Sequence, residues 1–340
     1  MKNPKTPNKE ISLDEIFTLS KKVMIAHGAN EENGEAVAET VTNAERDGSV
    51  SHGLFRIPGY IKALDSGKVN GNAKPILEEI SPVIMRCDAQ NGFAPIAHKY
   101  CLSSLKAAAK KHGLGAVSIQ RAHHFAALWP EVESLGNEGL VGFTCVSYLP
   151  WVAPIGGSTP IFGTNPFAFA WPRPNQNPMV IDMATSSMAM GEVQIAARDG
   201  LDVPIGTGLS ASGKLTTNAA EIAKGVLLPF GGHKGSAIAL MVELLAGPLV
   251  GETFSYETAE RDNSDGGPPQ GGQLILALSP DLLGGINWAN QAEQFFDKYE
   301  AIEGVRLPGA RRYKNRKDGT IRKVNAELLE KIVKLTEHDG

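Results

Sequence analysis

The chain has 340 residues, of which 42 % are hydrophobic and 21 % charged, with a formal net charge of −4. That length can bury a sizeable core and suggests two domains, or one large domain with an appendage. Without clustered positive charge nucleic acid is not a bulk partner, and the sparse, unpatterned cysteines Cys87, Cys101 and Cys145 speak against a disulfide framework or zinc knuckle and for a reducing compartment.

The first 70 residues read as helical. Residues 1–15 are polar and hold no apolar signal core. Ser12 and Glu15 form a capping box, and Leu13, Ile16, Phe17, Val23 and Met24 then make a helical stripe that stops at Gly28. A second helix is expected from Asn30 to Asp47, ending at Gly48, and a third from Ile57 to Ser66, ending at Gly67. Between them lies a short polar turn, Ser49 to Gly53.

From about residue 80 the pattern changes. Short strands are expected at 83–85, 115–119, 140–146, 167–170, 179–181 and 274–278, with a helix over 95–112 between the first two. The apolar stretch Gly235 to Gly251 is interrupted by Glu243 and Pro248. It reads as a buried helix, too short and polar to span a bilayer. Residues 257–272 have no apolar period and read as a surface loop. A final helix is expected with Asn325 as its N-cap and Leu328, Leu329, Ile332, Val333 and Leu335 as its apolar face. Helical ends thus flank an α/β middle: 1–75, then 76–284, then 285–340. The whole reads as a soluble cytoplasmic protein with no membrane partner.

Two phosphate-binding patterns can be set aside. No G-x-G-x-x-G follows a strand, and the P-loop spacing Gly208 to Gly213-Lys214 carries Leu215 where a magnesium-binding hydroxyl belongs. The remaining polar motifs each have two readings. Ser51 and His52, with Arg56 just beyond, suit an acid beside a carboxylate clamp, or only capping and surface hydrogen bonds. His123 and His124, followed by Phe125 to Trp129, lack further metal ligands at suitable spacing but sit where a loop after a strand often meets a ligand. Gly163 to Pro166 is a further candidate loop. Asp182 to Ser186, running on to Met190, Gly191 and Glu192, offers backbone N–H groups to an anionic ligand or is an N-cap. The glycines before His233 and Lys234 let backbone approach a ligand closely at a helix start. Arg306, Arg311 and Arg312 around Pro308-Gly309 could grip a phosphate or form a solvated face.

In this order and spacing, these motifs resemble the malate/L-lactate dehydrogenase family of the second type, over about residues 12–313. Arg46 to Tyr60 and His123 to Pro130 look most like the branch that reduces Δ1-piperideine-2-carboxylate and Δ1-pyrroline-2-carboxylate to L-pipecolate and L-proline. That branch typically has Asp where Glu192 stands. The resemblance implies a homodimer acting on a small cyclic imino acid. It also implies a non-Rossmann cofactor domain with a mostly antiparallel seven-stranded sheet over 76–284, and NADPH as cofactor with NADH as the alternative. It implies Ser51, His52 and Glu192 as the proton relay, with His52 the donor, and Arg56 as the ligand of the substrate carboxylate. The implied cofactor contacts are Phe125, Ala126, Ala127, Leu128, Trp129, Thr164, Asp182, Met183, Ala184, Met190 and Gly191. His233 and Lys234 join them, as do Arg306, Leu307, Pro308, Gly309, Ala310, Arg311 and Arg312. No metal is implied. The rival expectation is a 2-oxo acid dehydrogenase acting on malate, lactate or a related acid through the same His and Arg.

Overall fold

The computed structural model describes residues 7–123 and 126–337. Strand β1 (Asn8–Ser12) leads into helices α1 (Leu13–Ala26), α2 (Glu31–Asp47) and α3 (Ile57–Asp65). Then come β2 (Ile76–Ser81), β3 (Ile84–Asp88), α4 (Ala94–His112), β4 (Leu114–His123), α5 (Trp129–Gly136), β5 (Val141–Val146), β6 (Phe167–Trp171) and β7 (Met179–Met183). The chain continues through α6 (Met190–Asp199), β8 (Gly208–Leu209), β9 (Leu215–Thr216), α7 (Ala219–Ile222), β10 (Val226–Leu227), α8 (His233–Ala246) and α9 (Ser255–Arg261). It ends with β11 (Gln270–Leu278), α10 (Pro280–Leu283), α11 (Trp288–Glu300), α12 (Ala310–Lys317), β12 (Ile321–Asn325) and α13 (Ala326–Leu335).

The local signals work as expected where they are self-contained. The Ser12–Glu15 capping box is formed, Asn30 caps α2 through the Asn33 N–H, and Gly48 closes α2 in the left-handed region at φ 77°. Asn325 caps α13 through the Leu328 N–H. The pattern Gly208 to Lys214 forms β8 and the turn into β9, which pair as an antiparallel hairpin.

The main sheet has seven strands in the order β2-β3-β4-β11-β5-β6-β7. It is mixed, where the resemblance implied a mostly antiparallel sheet: the crossover through α4 makes β3 and β4 parallel, while the other neighbours run antiparallel. α4 covers one face through Cys101, Leu105 and Ala109 against Val117, Ile119 and Ile275. A second core joins the chain ends: Ile16, Val23, Val37 and Ile57 pack with Val324, Leu329 and Ile332.

Three further expectations are corrected. The N-terminal region is not wholly helical, because β1 pairs antiparallel with β12; a ribbon between the two chain ends leaves no local period. The stretch 235–251 is not wholly buried. Ala239, Val242 and Ala246 are, but Leu240, Met241 and Leu244 are 51 %, 42 % and 50 % exposed. Apolar residues on both faces hide which face is inside. Residues His233–Val250 are also long and apolar enough, by length and composition, to cross a bilayer, yet buried Glu243 in their midst makes hydrogen bonds to Gly163, Asn165 and Ser255, as befits a core helix. Finally, 257–272 is not a plain surface loop: α9 occupies its start, Gly267–Pro269 are buried, and β11 begins at Gln270.

An ion cluster ties both chain ends to the middle. Asp47, at the end of α2, is fully buried; Arg316 of α12 reaches it at 2.5 Å and reaches Glu133 of α5 at 2.5 Å. Burial pushes the Asp47 carboxyl up, but hydrogen bonds from Arg316 and Arg46 outweigh this and hold it below its ordinary value. Its stabilising contribution is therefore complete above the usual aspartate pKa, near 4, and drains away as pH falls through the lowered native value. Arg316→Ala leaves Asp47 buried with only Arg46 and should cost about 3 kcal/mol, read as a lower urea midpoint at pH 7. That loss should shrink toward pH 3; an equal loss at both pH values would contradict the account.

Candidate active site

The site begins where α2 stops. Two short 3₁₀ turns, Val50–His52 and Leu54–Arg56, carry the chain to α3. Glu45, on the last turn of α2 and 3 % exposed, accepts the Leu54 N–H at 2.8 Å. A Cβ at Gly53 would lie 2.1 Å from Glu45 Oε1, so only glycine lets the turn sit on that carboxylate. Burial raises Glu45 to about 7, against the lowering effect of the Leu54 N–H and Arg322. Arg56 Nε donates to the Ser51 carbonyl at 2.7 Å. Ser51, His52 and Arg56 thus share one braced turn.

The start of α6 packs onto this turn at Gly191. A Cβ there would lie 2.9 Å from Arg56 Nη2 and 3.2 Å from Ser51 Cβ. The close approach places Glu192, the next residue, at the same cavity as Ser51, His52 and Arg56.

Across the cavity, Asp182 at the end of β7 accepts the Leu128 and Trp129 N–H groups, each at 2.9 Å. Burial raises its pKa to about 6, opposed by the Arg312 guanidinium and the Trp129 N–H. Arg312 lies 5.4 Å from the Trp129 ring centroid and donates to the Val180 carbonyl at 2.9 Å, while its buried Nε has no hydrogen-bond partner among the described residues. Asn165 has φ 42° and donates to the Ala239 carbonyl and to Glu243. This lock holds Thr164 at the cavity, and the Thr164 carbonyl accepts the Thr185 N–H and hydroxyl.

These walls enclose about 760 Å³. Of the residues singled out from the sequence, Ser51, His52, Arg56, Met190, Gly191 and Glu192 line one side. Ala126, Ala127, Trp129, Thr164, Asp182, Met183, Ala184, Arg311 and Arg312 line the rest. Leu128 does not line it; its side chain is core, and its contribution is the N–H held by Asp182. Nor do His233, Lys234, Arg306 and Gly309. Leu307, Pro308 and Ala310 instead line a smaller cavity of about 300 Å³ with Arg173 and Tyr313. His124 and Phe125 lie outside the described residues. Among the described residues, no group of three or more His, Cys, Asp or Glu is placed to hold a metal.

Sequence reasoning missed Tyr148, Trp151, Phe230, Asp262 and Ser264, all of which line the cavity. An aromatic just after a buried strand was the only signal for Tyr148. For Asp262 there was none, because its surroundings resemble an ordinary polar loop.

The chain matches the malate/L-lactate dehydrogenase family model over residues 11–332. It is 43 % identical over 309 residues to the Δ1-pyrroline-2-carboxylate reductase of Ancylobacter novellus, covering 90 % of this chain and 91 % of that one. It is 42 % identical to the Δ1-pyrroline-2-carboxylate/Δ1-piperideine-2-carboxylate reductase of Pseudomonas aeruginosa, covering 90 % and 92 %. The crystal structure of Δ1-piperideine-2-carboxylate reductase from Pseudomonas syringae superposes with a TM-score of 0.90 at 40 % identity, over 96 % of this chain and 99 % of that one. Sulfolactate dehydrogenase of Methanocaldococcus jannaschii gives 0.86 at 27 % identity, over 97 % of each.

The contact at Gly191 yields a test. Gly191→Ala should push the Arg56 guanidinium aside and shift the Ser51 turn by a few tenths of an ångström without unfolding α6, since the tightest contact is with the end of a flexible side chain. KM for the carboxylated substrate should rise about tenfold, the scale of one weakened charge-assisted contact, with cofactor Kd unchanged. A loss confined to cofactor binding would show that Arg56 is not what Gly191 accommodates.

Proposed function

The chain belongs to the malate/L-lactate dehydrogenase family, and from that premise we propose that it reduces the C=N bond of a cyclic 2-imino acid. Δ1-Piperideine-2-carboxylate would give L-pipecolate and Δ1-pyrroline-2-carboxylate would give L-proline. The observation that carries this reading is the joint placement of Arg56, Ser51, His52 and Glu192 at one cavity, braced from below by Glu45.

The walls suit a nicotinamide cofactor. Arg312 Nε is a buried donor with no partner among the described residues, Asp182 orders the backbone at Leu128 and Trp129, and Arg311 is exposed at the cavity edge. Ala126 to Trp129, Thr164, Asp182 to Ala184, Arg311 and Arg312 would hold it, on a sheet that is not the doubly wound parallel type. When bound, the cofactor supplies hydride to C2 of the substrate. The chain's own residues do the rest. Arg56 presents a planar fork to the substrate carboxylate and fixes which face of C2 is offered. His52 holds the proton destined for the ring nitrogen. Ser51 and Glu192 orient the imidazole and return its proton.

Residues 76–284 would carry the cofactor, with 1–75 and 285–340 packing together beside it, as their common core suggests. The unpaired thiols of Cys87, Cys101 and Cys145 suit a reducing cytoplasm. The exposed Leu240, Met241 and Leu244 suit a homodimer.

A substrate panel tests the reading directly: wild type should reduce cyclic imines far faster than pyruvate or oxaloacetate, and the reverse order would favour a 2-oxo acid dehydrogenase. His52→Ala should lower kcat by about 10²–10⁴-fold while cofactor still binds; near-normal kcat would remove His52 from the role of donor.

The cofactor preference is proposed as NADPH. Arg311 is the exposed cation at the cavity edge, so it is assigned to the 2′-phosphate. Arg311→Ala should weaken NADPH by about tenfold or more and leave NADH unchanged. Equal losses for the two cofactors, or equal efficiency in wild type, would contradict the assignment.

A further inference from the structure

One wall of the cavity belongs to no helix or strand. Between α9 and β11 the chain forms a strap, and Asp262, Ser264, Gly266 and Gly267 of that strap line the cavity. Lys68, just beyond α3, anchors it: Nζ lies 2.6 Å from Asp262 Oδ1 and 2.8 Å from Asp265 Oδ1. Asp265 also accepts the Ser66 hydroxyl and the Gly267 N–H, each at 2.7 Å. The backbone fit is tight. A Cβ at Gly59 would fall 2.7 Å from the Gly266 carbonyl oxygen, and one at Gly267 would fall 2.5 Å from Ala63 Cβ.

The charges do not cancel. One ammonium is shared by two carboxylates, and the three side chains are only 10 %, 15 % and 12 % exposed. The unit therefore carries one net negative charge where water screens it poorly. Of the two carboxylates, Asp262 is the one at the cavity. Arg56 lies at the same cavity, and the Tyr148 phenol, raised by burial, feels both the Arg56 cation and the Asp262 carboxylate. The cavity thus offers a fixed cation and a net-negative wall, with Tyr148 in the field of both.

That pairing matches a zwitterion. The amino-acid product carries a carboxylate and a cationic ring nitrogen, and the imine gains the same pair of charges as its nitrogen takes up the proton from His52; a 2-oxo acid carries the carboxylate alone. Resting on the imino-acid reading, we propose that Asp262 is a specificity-determining residue, the counter-charge for the ring nitrogen, while Arg56 takes the carboxylate. Glu192 is an anion at the same cavity, but in that reading it belongs to the proton relay, whose charge changes during the cycle. The constant charge that separates a cationic ring from a neutral one is then the carboxylate outside the relay.

The test compares ligands of one shape and different charge on the cofactor-loaded enzyme. L-Proline has a cationic ring nitrogen; tetrahydrofuran-2-carboxylate keeps the ring and the carboxylate and replaces nitrogen by oxygen. Asp262→Asn should weaken L-proline by about tenfold and the ether acid by less than about twofold, and should lower kcat/KM for the imine relative to pyruvate. Lys68 keeps Asp265 as its partner in this variant, so the strap remains anchored. Asp265→Asn leaves Lys68 and Asp262 as a neutral pair, so it too should weaken L-proline more than the ether acid, but by a smaller factor than Asp262→Asn because the lost charge does not line the cavity. Equal losses for the two ligands in Asp262→Asn, or no loss for either, would overturn the inference. Wild type that reduces Δ1-pyrroline-2-carboxylate while Asp262→Asn shows no selectivity would overturn this inference alone. Wild type that reduces no cyclic imine would overturn the functional reading and this inference with it.

Discussion

Arg316 is the point from which the rest of the architecture hangs. It joins Asp47 on α2 to Glu133 on α5, and each of the three helices involved carries one side of the cavity. α2 ends at the turn with Ser51, His52 and Arg56. α5 begins at the backbone that Asp182 holds. α12, which bears Arg316, also bears Arg311 and Arg312. A buried carboxylate such as Asp47 is costly unless paired. The fold therefore has a strong reason to keep α12 where Arg316 can reach it, and with α12 come the arginines at the cavity.

Backbone proximity is the second constraint. The turn after α2 rests on Glu45 because Gly53 has no side chain, and α6 reaches Arg56 and Ser51 because Gly191 has none. The strap meets α3 through Gly59 and Gly267 in the same way. In each case a missing Cβ replaces a long bridging side chain with direct backbone packing. A site built like this is stiff, which suits chemistry that needs a carboxylate clamp and a proton donor at fixed separation.

Charge is distributed around the cavity with similar economy. Arg56 and the Arg311–Arg312 pair bring positive charge, Glu192 and the strap bring negative charge, and Asp182 sits with its pKa raised to about 6. The buried Glu243 takes no place in the cavity, yet it fixes Asn165 and through it Thr164. The exposed apolar side of α8 follows from the same arrangement: one face of that helix must supply Glu243 and the core residues Ala239, Val242 and Ala246, which leaves Leu240, Met241 and Leu244 pointing outward.

Features ruled by near neighbours could be read from the chain alone. Caps at Ser12, Asn30 and Asn325, the stop at Gly48, six of the seven strand runs of the main sheet and the ordered motifs from Ser51 to Arg312 were legible, because a cap or a motif is satisfied within a few residues; the edge strand β2, with no buried face, was not. The ribbon of β1 with β12, the parallel step through α4, the Asp47–Arg316–Glu133 cluster and the placement of Tyr148 and Asp262 at the cavity were not. Each depends on pairing residues far apart in the chain, which leaves no local period. Asp262 shows the limit most plainly. Its neighbours Asn263, Ser264 and Asp265 read as a solvated loop, and only the fold brings Lys68 within 2.6 Å of it and turns a polar loop into a charged wall of the site.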